Sequence, residues 1–262
     1  PGPAAQLSSF EPVSEATAGV SVSFPITLRD SYDAILPSSF SVTPSLLSRF
    51  SITAEGSAMT VGGEKFAVTI PGVVSVGPAS ADGGATLVAE LELRSAGDWA
   101  IVVAENGVNL DGAPFDLHVV PAATNPSTCT TSYPSEVTAG TDFVINLSTN
   151  DAFQNPTSHS ADIFSFTTSS STTTEITSDE SGTFSFSTPT NTAGSVSVSA
   201  THSPTGLPAA GSPYLFTVVP GAPSAALSSH SLADTSTVSA GKTTSIVSAF
   251  DTALVLQAFV ND

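Results

Sequence analysis

Short segments in which apolar and polar side chains alternate recur along the whole chain. Two clear cases are Phe143–Ser148 and Val196–Ala200, in which every second residue is apolar and most of the others carry a hydroxyl or amide. Successive side chains of a β-strand point to opposite faces, so this alternation predicts half-buried strands with Ser and Thr facing solvent. Gly and Pro, at 19 residues each, separate the segments. The pattern predicts an all-β fold of short antiparallel strands.

One segment could be mistaken for a helix. Ala85–Arg94 is rich in Leu, Ala and Glu, which favour helices. Its Leu87, Ala89, Leu91 and Leu93 nevertheless recur at every second position, which is the period of a strand. We therefore predict a strand over this segment.

Several motifs recur along the sequence and divide it into repeats. The stretch 112–115 (GAPF) returns as 211–214 (GSPY), and 119–121 (VVP) returns as 218–220, both after 99 residues. An Ala-Gly pair precedes an alternating segment and then an Asp in three places; the Asp residues are Asp30, Asp151 and Asp251. We predict one long repeat (1–121), a shorter repeat (122–220) and the start of a third (221–262). A unit of about 100 residues with about seven strands is the size of an immunoglobulin-like sandwich.

The second repeat resembles the filamin-type immunoglobulin-like repeat. The resemblance lies in 179–184 (DESGTF), 187–190 (STPT), 193–196 (AGSV) and 211–218 (GSPYLFTV), and a weaker copy lies in the first repeat. It implies tandem immunoglobulin-like β-sandwiches with a partial third repeat, and in some family members peptide binding at a sheet edge. Other surface immunoglobulin-like repeats have a similar composition. The sequence contains no actin-binding module, so a role in cross-linking actin does not carry over.

The first repeat is enlarged in its middle. The distance from Asp30 to Asp82 is 52 residues, whereas the matching distance in the second repeat is 28. The extra residues include 58–61 and Phe66–Ile70 on either side of Gly62-Gly63, which predicts an additional hairpin. This hairpin either packs on its own domain or forms an interaction surface to a neighbouring repeat or subunit.

Charge and composition exclude several classes of protein. The net charge is -18, with 23 acidic and 5 basic residues. Binding to nucleic acid or to an anionic membrane needs clustered Lys and Arg, so neither is expected as a partner. No apolar run approaches the ~20 residues of a membrane-spanning helix, so we expect no membrane insertion. Ser and Thr occupy 76 positions, and this composition favours an extracellular or cell-surface location.

Candidate catalytic groups do not form a recognisable motif. The four His residues lie apart: His118 on a predicted final strand, and His159, His202 and His230 in predicted turns rich in Ser and Pro. None has a nucleophile motif or a second metal ligand at a suitable spacing, so we predict that the protein is not an enzyme. Cys129 is the single Cys; we expect a partly buried thiol, with an intermolecular bridge as the alternative.

We predict no cofactor, although the acidic residues leave weak Ca²⁺ binding open. Asp30 lies near Asp33, Asp179 precedes Glu180, and Asp82 begins a turn. None belongs to the Asp-rich loop that binds Ca²⁺ strongly, so solvated turn carboxylates are the favoured interpretation.

Glycosylation is the modification that the sequence suggests. Asn146-Leu147-Ser148 is an acceptor motif for N-glycans, with Asn146 on the outward phase of its strand. A hydroxyl-rich run is a candidate for O-glycans, or alternatively a polar loop; it comprises Ser169, Ser170, Ser171, Thr172, Thr173 and Thr174.

These features favour a structural segment of an extracellular fibre, stalk or appendage, whose partners are neighbouring repeats or copies of itself. The alternatives are a cell-surface adhesion or ligand-binding module and a cytosolic filamin-like scaffold. The chain begins with Pro1, so we expect a signal peptide to lie outside this sequence or to have been removed. We expect residues 221–262 to continue into a full domain, or alternatively to complete a neighbouring subunit by strand addition.

Overall fold

The structure is a computed structural model that describes residues 8–59, 65–159, 161–169, 173–177, 181–222, 229–232, 244–249 and 255–260. The chain divides into two compact units, the first comprising Pro1–Cys129 with Thr149–His159 and the second Thr130–Ser148 with Ser160–Asp262. The two units are described separately below. The segment Thr149–His159 follows the predicted boundary at residue 121, yet it packs with the first unit.

The first unit is a sandwich of two sheets. One sheet has the order β1-β3-β7-β6, and the other has the order β2-β10-β8-β4-β5 with β9 paired to β8. Its elements are β1 (Ser9–Phe10), β2 (Glu15–Thr17), β3 (Ser21–Thr27), α1 (Pro44–Leu47), β4 (Phe50–Met59), β5 (Lys65–Pro71), β6 (Val73–Val76), β7 (Thr86–Glu92), β8 (Gly97–Glu105), β9 (Val108–Asn109) and β10 (Phe115–Val120).

The described elements from residue 126 onward repeat this arrangement without a counterpart of β6. The orders are β11-β13-β16 and β12-β19-β17-β14-β15, with β18 paired to β17. The elements are a 3-10 turn (Pro126–Thr128), β11 (Thr130–Ser132), β12 (Glu136–Thr138), β13 (Thr141–Ser148), β14 (Ile163–Thr168), β15 (Thr173–Thr177), β16 (Thr183–Thr190), β17 (Gly194–His202), β18 (Leu207–Pro208) and β19 (Tyr214–Val219).

Three further strands form an antiparallel sheet in the order β20-β21-β22: β20 (Ser229–Leu232), β21 (Thr244–Ala249) and β22 (Val255–Val260). The rest of the predicted third repeat, Asp251 included, lies largely outside the described residues. Among the residues that the structure describes, no helix is long and apolar enough to cross a bilayer.

The alternation predicted from the sequence is the inward and outward alternation of these strands. In β13, Phe143, Ile145 and Leu147 are fully buried, and the residues between them are exposed. The segment 85–94 forms strand β7 over Thr86–Glu92, which confirms the prediction of a strand. Its Leu87 and Ala89 are also fully buried. The prediction of an all-β fold of tandem immunoglobulin-like sandwiches is confirmed.

Each unit has its own apolar core. In the first unit the core surrounds Trp99, Phe24 and Leu87, and its described residues lie within Phe10–Val119. In the second unit the largest buried side chains are aromatic: Phe143, Phe164, Phe166, Phe184 and Tyr214. Burying such side chains is worth about 1.5–3 kcal/mol each, which is the main source of stability in sandwiches without disulfides.

Candidate functional site

The early strand β2 and the late strand β10 of the first unit lie side by side and run parallel. Strand β2 pairs with β10 at the edge of its sheet. The ladder begins with the bond from the His118 amide to Ser14 O (2.9 Å) and ends with the bond from the Ala18 amide to Val120 O (2.9 Å). Ala18 and Val119 are each 1% exposed, so one side of this ladder is sealed from water.

The second unit repeats this arrangement. Strand β12 runs parallel to β19, again at the edge of its sheet. The Thr217 amide donates to Ser135 O (3.0 Å), and the Ala139 amide donates to Val219 O (2.8 Å). The bonds occupy the same places in both ladders, so this pairing is a property of the repeat.

Parallel pairing of an early and a late strand determines how a sandwich responds to tension. Pulling the chain ends apart draws the early strand towards its N-terminus and the late strand towards its C-terminus. Because the two strands are parallel, these directions are opposite along one shared line. The bonds of the ladder, which run between the strands, are therefore sheared together rather than opened one at a time. We call β2 with β10, and β12 with β19, the end-strand pairs.

The enlarged middle of the first unit forms part of both sheets. Strand β5 pairs with β4, as the predicted hairpin requires, although Gly62-Gly63 lies outside the described residues. The chain then passes through Gly72 into β6, which pairs with β7 in the other sheet. A Cβ on Gly72 would lie 2.2 Å from Glu90 O, so only glycine permits this change of sheet.

The sequence left two interpretations of this enlarged middle, packing on its own domain or forming an interaction surface. Each of them describes one face of the segment. The inward side chains Val68, Ile70 and Val74 pack against the core of their own unit. The outward side chains Val73 and Val76 are 66% and 57% exposed. The segment is thus a packed decoration that also presents apolar surface.

A groove of about 510 Å³ crosses the outer face of the sheet that contains β3 and β7. Its apolar lining includes Phe10, Pro25 and Val88, and Glu11 is the one charged lining residue among those that the structure describes. Hydroxyl groups supply most of the remaining lining, from Ser9, Ser23, Thr27, Ser80 and Thr86. This composition suits a neutral or basic ligand with an apolar part.

The interpretation of Asp30 as a solvated turn carboxylate is wrong. Asp30 is 8% exposed, and its Oδ1 accepts hydrogen bonds from the amides of Tyr32 (2.9 Å) and Ala34 (3.0 Å). The Asp33 carboxylate pairs with Arg29 at 3.1 Å. Asp82 lies exposed in a turn, and Asp179 with Glu180 lies outside the described residues. Within the described ranges no three His, Cys, Asp or Glu side chains come together as metal ligands.

Glu105, the last residue of β8, is a buried acid that the sequence analysis missed. It is 2% exposed and forms an ion pair with Arg49. Within the described residues, neither of its oxygens has a hydrogen bond beyond that ion pair. Burial raises the pKa of Glu105 above its ordinary value of 4.5, and the Arg49 charge opposes that rise.

His202 ends β17 as Glu105 ends β8, so its predicted position in a turn is wrong. The imidazole is buried, with Nε2 at 3.1 Å from Asp162 Oδ1 and Nδ1 at 2.9 Å from Thr205 Oγ1. With Thr205 on one ring nitrogen and Asp162 on the other, the three side chains are arranged like the nucleophile, base and orienting acid of a catalytic triad. The His and Asp side chains are nevertheless packed in the interior, so the arrangement serves to satisfy buried polar groups.

The remaining predicted residues lie at scattered places, and His230 lies in strand β20 rather than in the predicted turn. His118 contacts Asp98 on the surface (2.6 Å), and His159 Nε2 lies 3.1 Å from Ala122 O. Cys129 is buried, with its Sγ 3.6 Å from Asn125 O, which disfavours an intermolecular bridge.

The candidate glycosylation residues that the structure describes are all exposed. Asn146 lies on the outward face of β13. Ser169 follows β14, and Thr173 and Thr174 begin the edge strand β15. Ser170, Ser171 and Thr172 lie outside the described residues. Exposure gives a glycosyltransferase access to these side chains, and their modification stays a prediction.

The fold belongs to the class of tandem immunoglobulin-like domains. A solved structure of FdeC, described as an adhesin of Escherichia coli, superposes with a TM-score of 0.53 at 22% identity and covers 95% of this chain and 74% of its own. InvD of Yersinia pseudotuberculosis gives a TM-score of 0.43 at 16% identity, covering 98% of this chain and 80% of its own. The Lin-41 filamin domain gives 0.29 at 17% identity, covering 46% of this chain and 98% of its own. No protein-family model and no curated protein sequence matches the chain.

Proposed function

We propose that this chain is a tensile structural segment of an extracellular stalk or fibre built from tandem immunoglobulin-like repeats. The observation that carries the proposal is the parallel end-strand pair of each unit. Two consecutive units with the same arrangement suit a chain that transmits force along its length.

The surface of the chain supports a location outside the cell. Ser and Thr supply most of the outward faces of strands such as β16 and β17, and only 5 residues of the chain are basic. The charge of -18 keeps exposed strands apart from those of other copies. The likeness of fold to an Escherichia coli adhesin supports the same location.

Immunolabelling of intact cells tests this location. An antibody raised against residues 1–262 is applied to unpermeabilised cells of the source organism, with a cytosolic marker as the control for leakage. We expect labelling of intact cells and its loss after brief protease treatment. Labelling only after permeabilisation would support the cytosolic scaffold instead.

A second candidate function, adhesion, is favoured by the groove on the first unit. Its apolar centre and the Glu11 carboxylate offer a site for a neutral or basic ligand. Beads coated with the chain should attach to the cells or matrix that the source organism colonises, and V88D should reduce attachment by placing a charge in the groove. L215D, at a 67% exposed site of the second unit, is the matched control. Equal attachment of the wild type and both variants would remove the groove from consideration.

A further inference from the structure

The segment Thr149–His159 is held on the first unit by an aromatic side chain. Phe153 covers Gly19 so closely that a Cβ on this glycine would lie 2.2 Å from the ring. Gly19 has a φ of 75°, which also favours glycine. The guanidinium carbon of Arg94 lies 5.6 Å from the centroid of the same ring, in the range of a cation–π contact. We call Gly19, Arg94 and Ala96 the socket.

Hydrogen bonds complete this contact. The side chain of Asn155 donates to Arg94 O (2.8 Å) and accepts from the Ala96 amide (2.9 Å). Asp151, which is fully buried, shapes the segment because its Oδ1 accepts from the amides of Phe153 (2.8 Å) and Asn155 (2.9 Å). The carboxylate thus fixes the loop that presents the aromatic ring and the amide to the socket.

The first unit contains a second copy of this loop. Asp30 accepts from the amides two and four residues later, at Tyr32 and Ala34, just as Asp151 does in its own loop. The residue after the aromatic one has positive φ in both, at 64° for Asp33 and 68° for Gln154. The two loops therefore have the same backbone, and Tyr32 stands where the other loop has Phe153.

The two aromatic side chains differ in their surroundings. Tyr32 is 84% exposed, whereas Phe153 on its socket is 37% exposed. The Asp30 carboxylate fixes the conformation of the loop before any partner binds, so docking of the loop would cost little conformational entropy. Tyr is also one of the residues enriched in protein interfaces. Ala34 replaces Asn155, so a contact through this loop would depend on the ring.

The backbone of the socket is likewise a repeated feature. Gly19 donates its amide to Leu93 O at 2.7 Å, and Gly140 in the second unit donates to Thr190 O at the same distance with a φ of 91°. Each described unit therefore has a left-handed glycine at this place, and the first and second repeats each have an aspartate-fixed loop about 30 residues after their start.

We propose that the loop Asp30–Ala34 docks through Tyr32 into the socket of another repeat of this type placed before it in the chain. The partner is defined by a left-handed glycine beside a cationic side chain, as at Gly19 and Arg94. The proposal concerns a contact between repeats, so it stands apart from the location and the tensile role proposed above.

The test is an extended chain in which residues 1–121 precede the complete sequence 1–262. Asp30 of the complete sequence then follows Pro121 by 30 residues, as Asp151 does in the parent chain. The added copy supplies its own core, since the core of the first unit lies within Phe10–Val119. The substitution Y32F in the added copy gives the peptide around residue 32 a different mass from the same peptide of the complete sequence, so the two can be told apart.

Hydroxyl-radical labelling with mass spectrometry reports the exposure of Tyr32. We expect labelling of Tyr32 in the complete sequence to fall about twofold relative to the parent chain, in proportion to exposures of 84% and 37%. G19V in the added copy should restore labelling, and R94S should restore it in part. The extended chain has two Trp99 side chains, one in each copy, so emission per Trp equal to that of the parent chain verifies that the added copy is folded. Labelling of Phe153 in the parent chain with and without G19V verifies the method.

Two results would overturn the proposal. One is equal labelling of Tyr32 in the parent and the extended chain. The other is a fall in labelling that persists in G19V and R94S while the added copy stays folded. Neither result depends on where the protein resides, so failure here is distinguishable from failure of the proposed function.

Discussion

The buried ion pair of Glu105 and Arg49 gives a sharp prediction about stability. R49M keeps most of the aliphatic packing of the arginine but leaves the Glu105 carboxylate buried without its counter-charge. Breaking a fully buried pair costs about 3–5 kcal/mol. Because Arg49 is 39% exposed, water screens part of the effect, and we expect a loss of roughly 2 kcal/mol at pH 7.

The pH dependence of this loss follows from the direction of the pKa shift. Burial raises the pKa of Glu105, so the folded state binds its proton more tightly than the unfolded state does. The contribution of Glu105 to stability is therefore largest below pH 4.5 and falls as the pH rises through the pKa of the folded state. R49M removes the charge that limits this rise, so its loss of stability should be small near pH 4 and larger at pH 7.

Urea unfolding followed by Trp99 fluorescence measures these free energies. Trp99 is the one Trp of the chain and is buried in the first unit, so its signal reports the unit that holds the pair. E105Q removes the charge and should have a flatter pH profile than the wild type. E105Q combined with R49M should recover most of the loss caused by R49M alone. Equal losses for R49M at pH 4 and pH 7, or no recovery in the double variant, would refute this reasoning.

Three further predictions concern the backbone of the first unit and the segment Thr149–His159 that packs on it. A16P should weaken the end-strand pair of the first unit, because it removes the Ala16 amide, which lies between the bonds at Ser14 O and at the Ala18 amide. T17P is the control, since the Thr17 amide faces away from β10. The mechanical unfolding forces of the two variants should therefore differ. G72A should cost at least about 2 kcal/mol in urea unfolding, because its Cβ would overlap Glu90 O, and a loss below 0.5 kcal/mol would contradict this account of the change of sheet. N155A should raise hydrogen exchange at the amide of Ala96 without changing the core, because that amide loses its acceptor.

The strands could be predicted from the sequence because their alternation is local. Phe143, Ile145 and Leu147 indicate by spacing alone that they share one face, and the structure buries all three. The period of Ala85–Arg94 outweighed its helix propensity for the same reason. Alternation does not say which strand lies beside which, so the parallel pairing of β2 with β10 could not be predicted.

The polar groups were harder to predict because their partners are distant in sequence. Glu105 and His202 each end a strand, and the burial of each depends on a partner more than 35 residues earlier in the chain. Asp30 and Asp151 were found as markers of the repeat, but their hydrogen bonds to following amides depend on a turn whose shape the sequence does not display. The sequence signal for these two loops was an aromatic residue two positions after the Asp, which is Tyr32 in one loop and Phe153 in the other.

Stretching single molecules by their two ends tests the proposed tensile role most directly. The end-strand pairs enclose Glu15–Val120 and Glu136–Val219. Released at about 3.3–3.6 Å per residue, these stretches should appear as two discrete steps of roughly 37 nm and 29 nm, besides any extension contributed by residues 221–262. We expect A16P to lower the force of the longer step only. Gradual lengthening at low force, or equal forces for the wild type and A16P, would contradict the account.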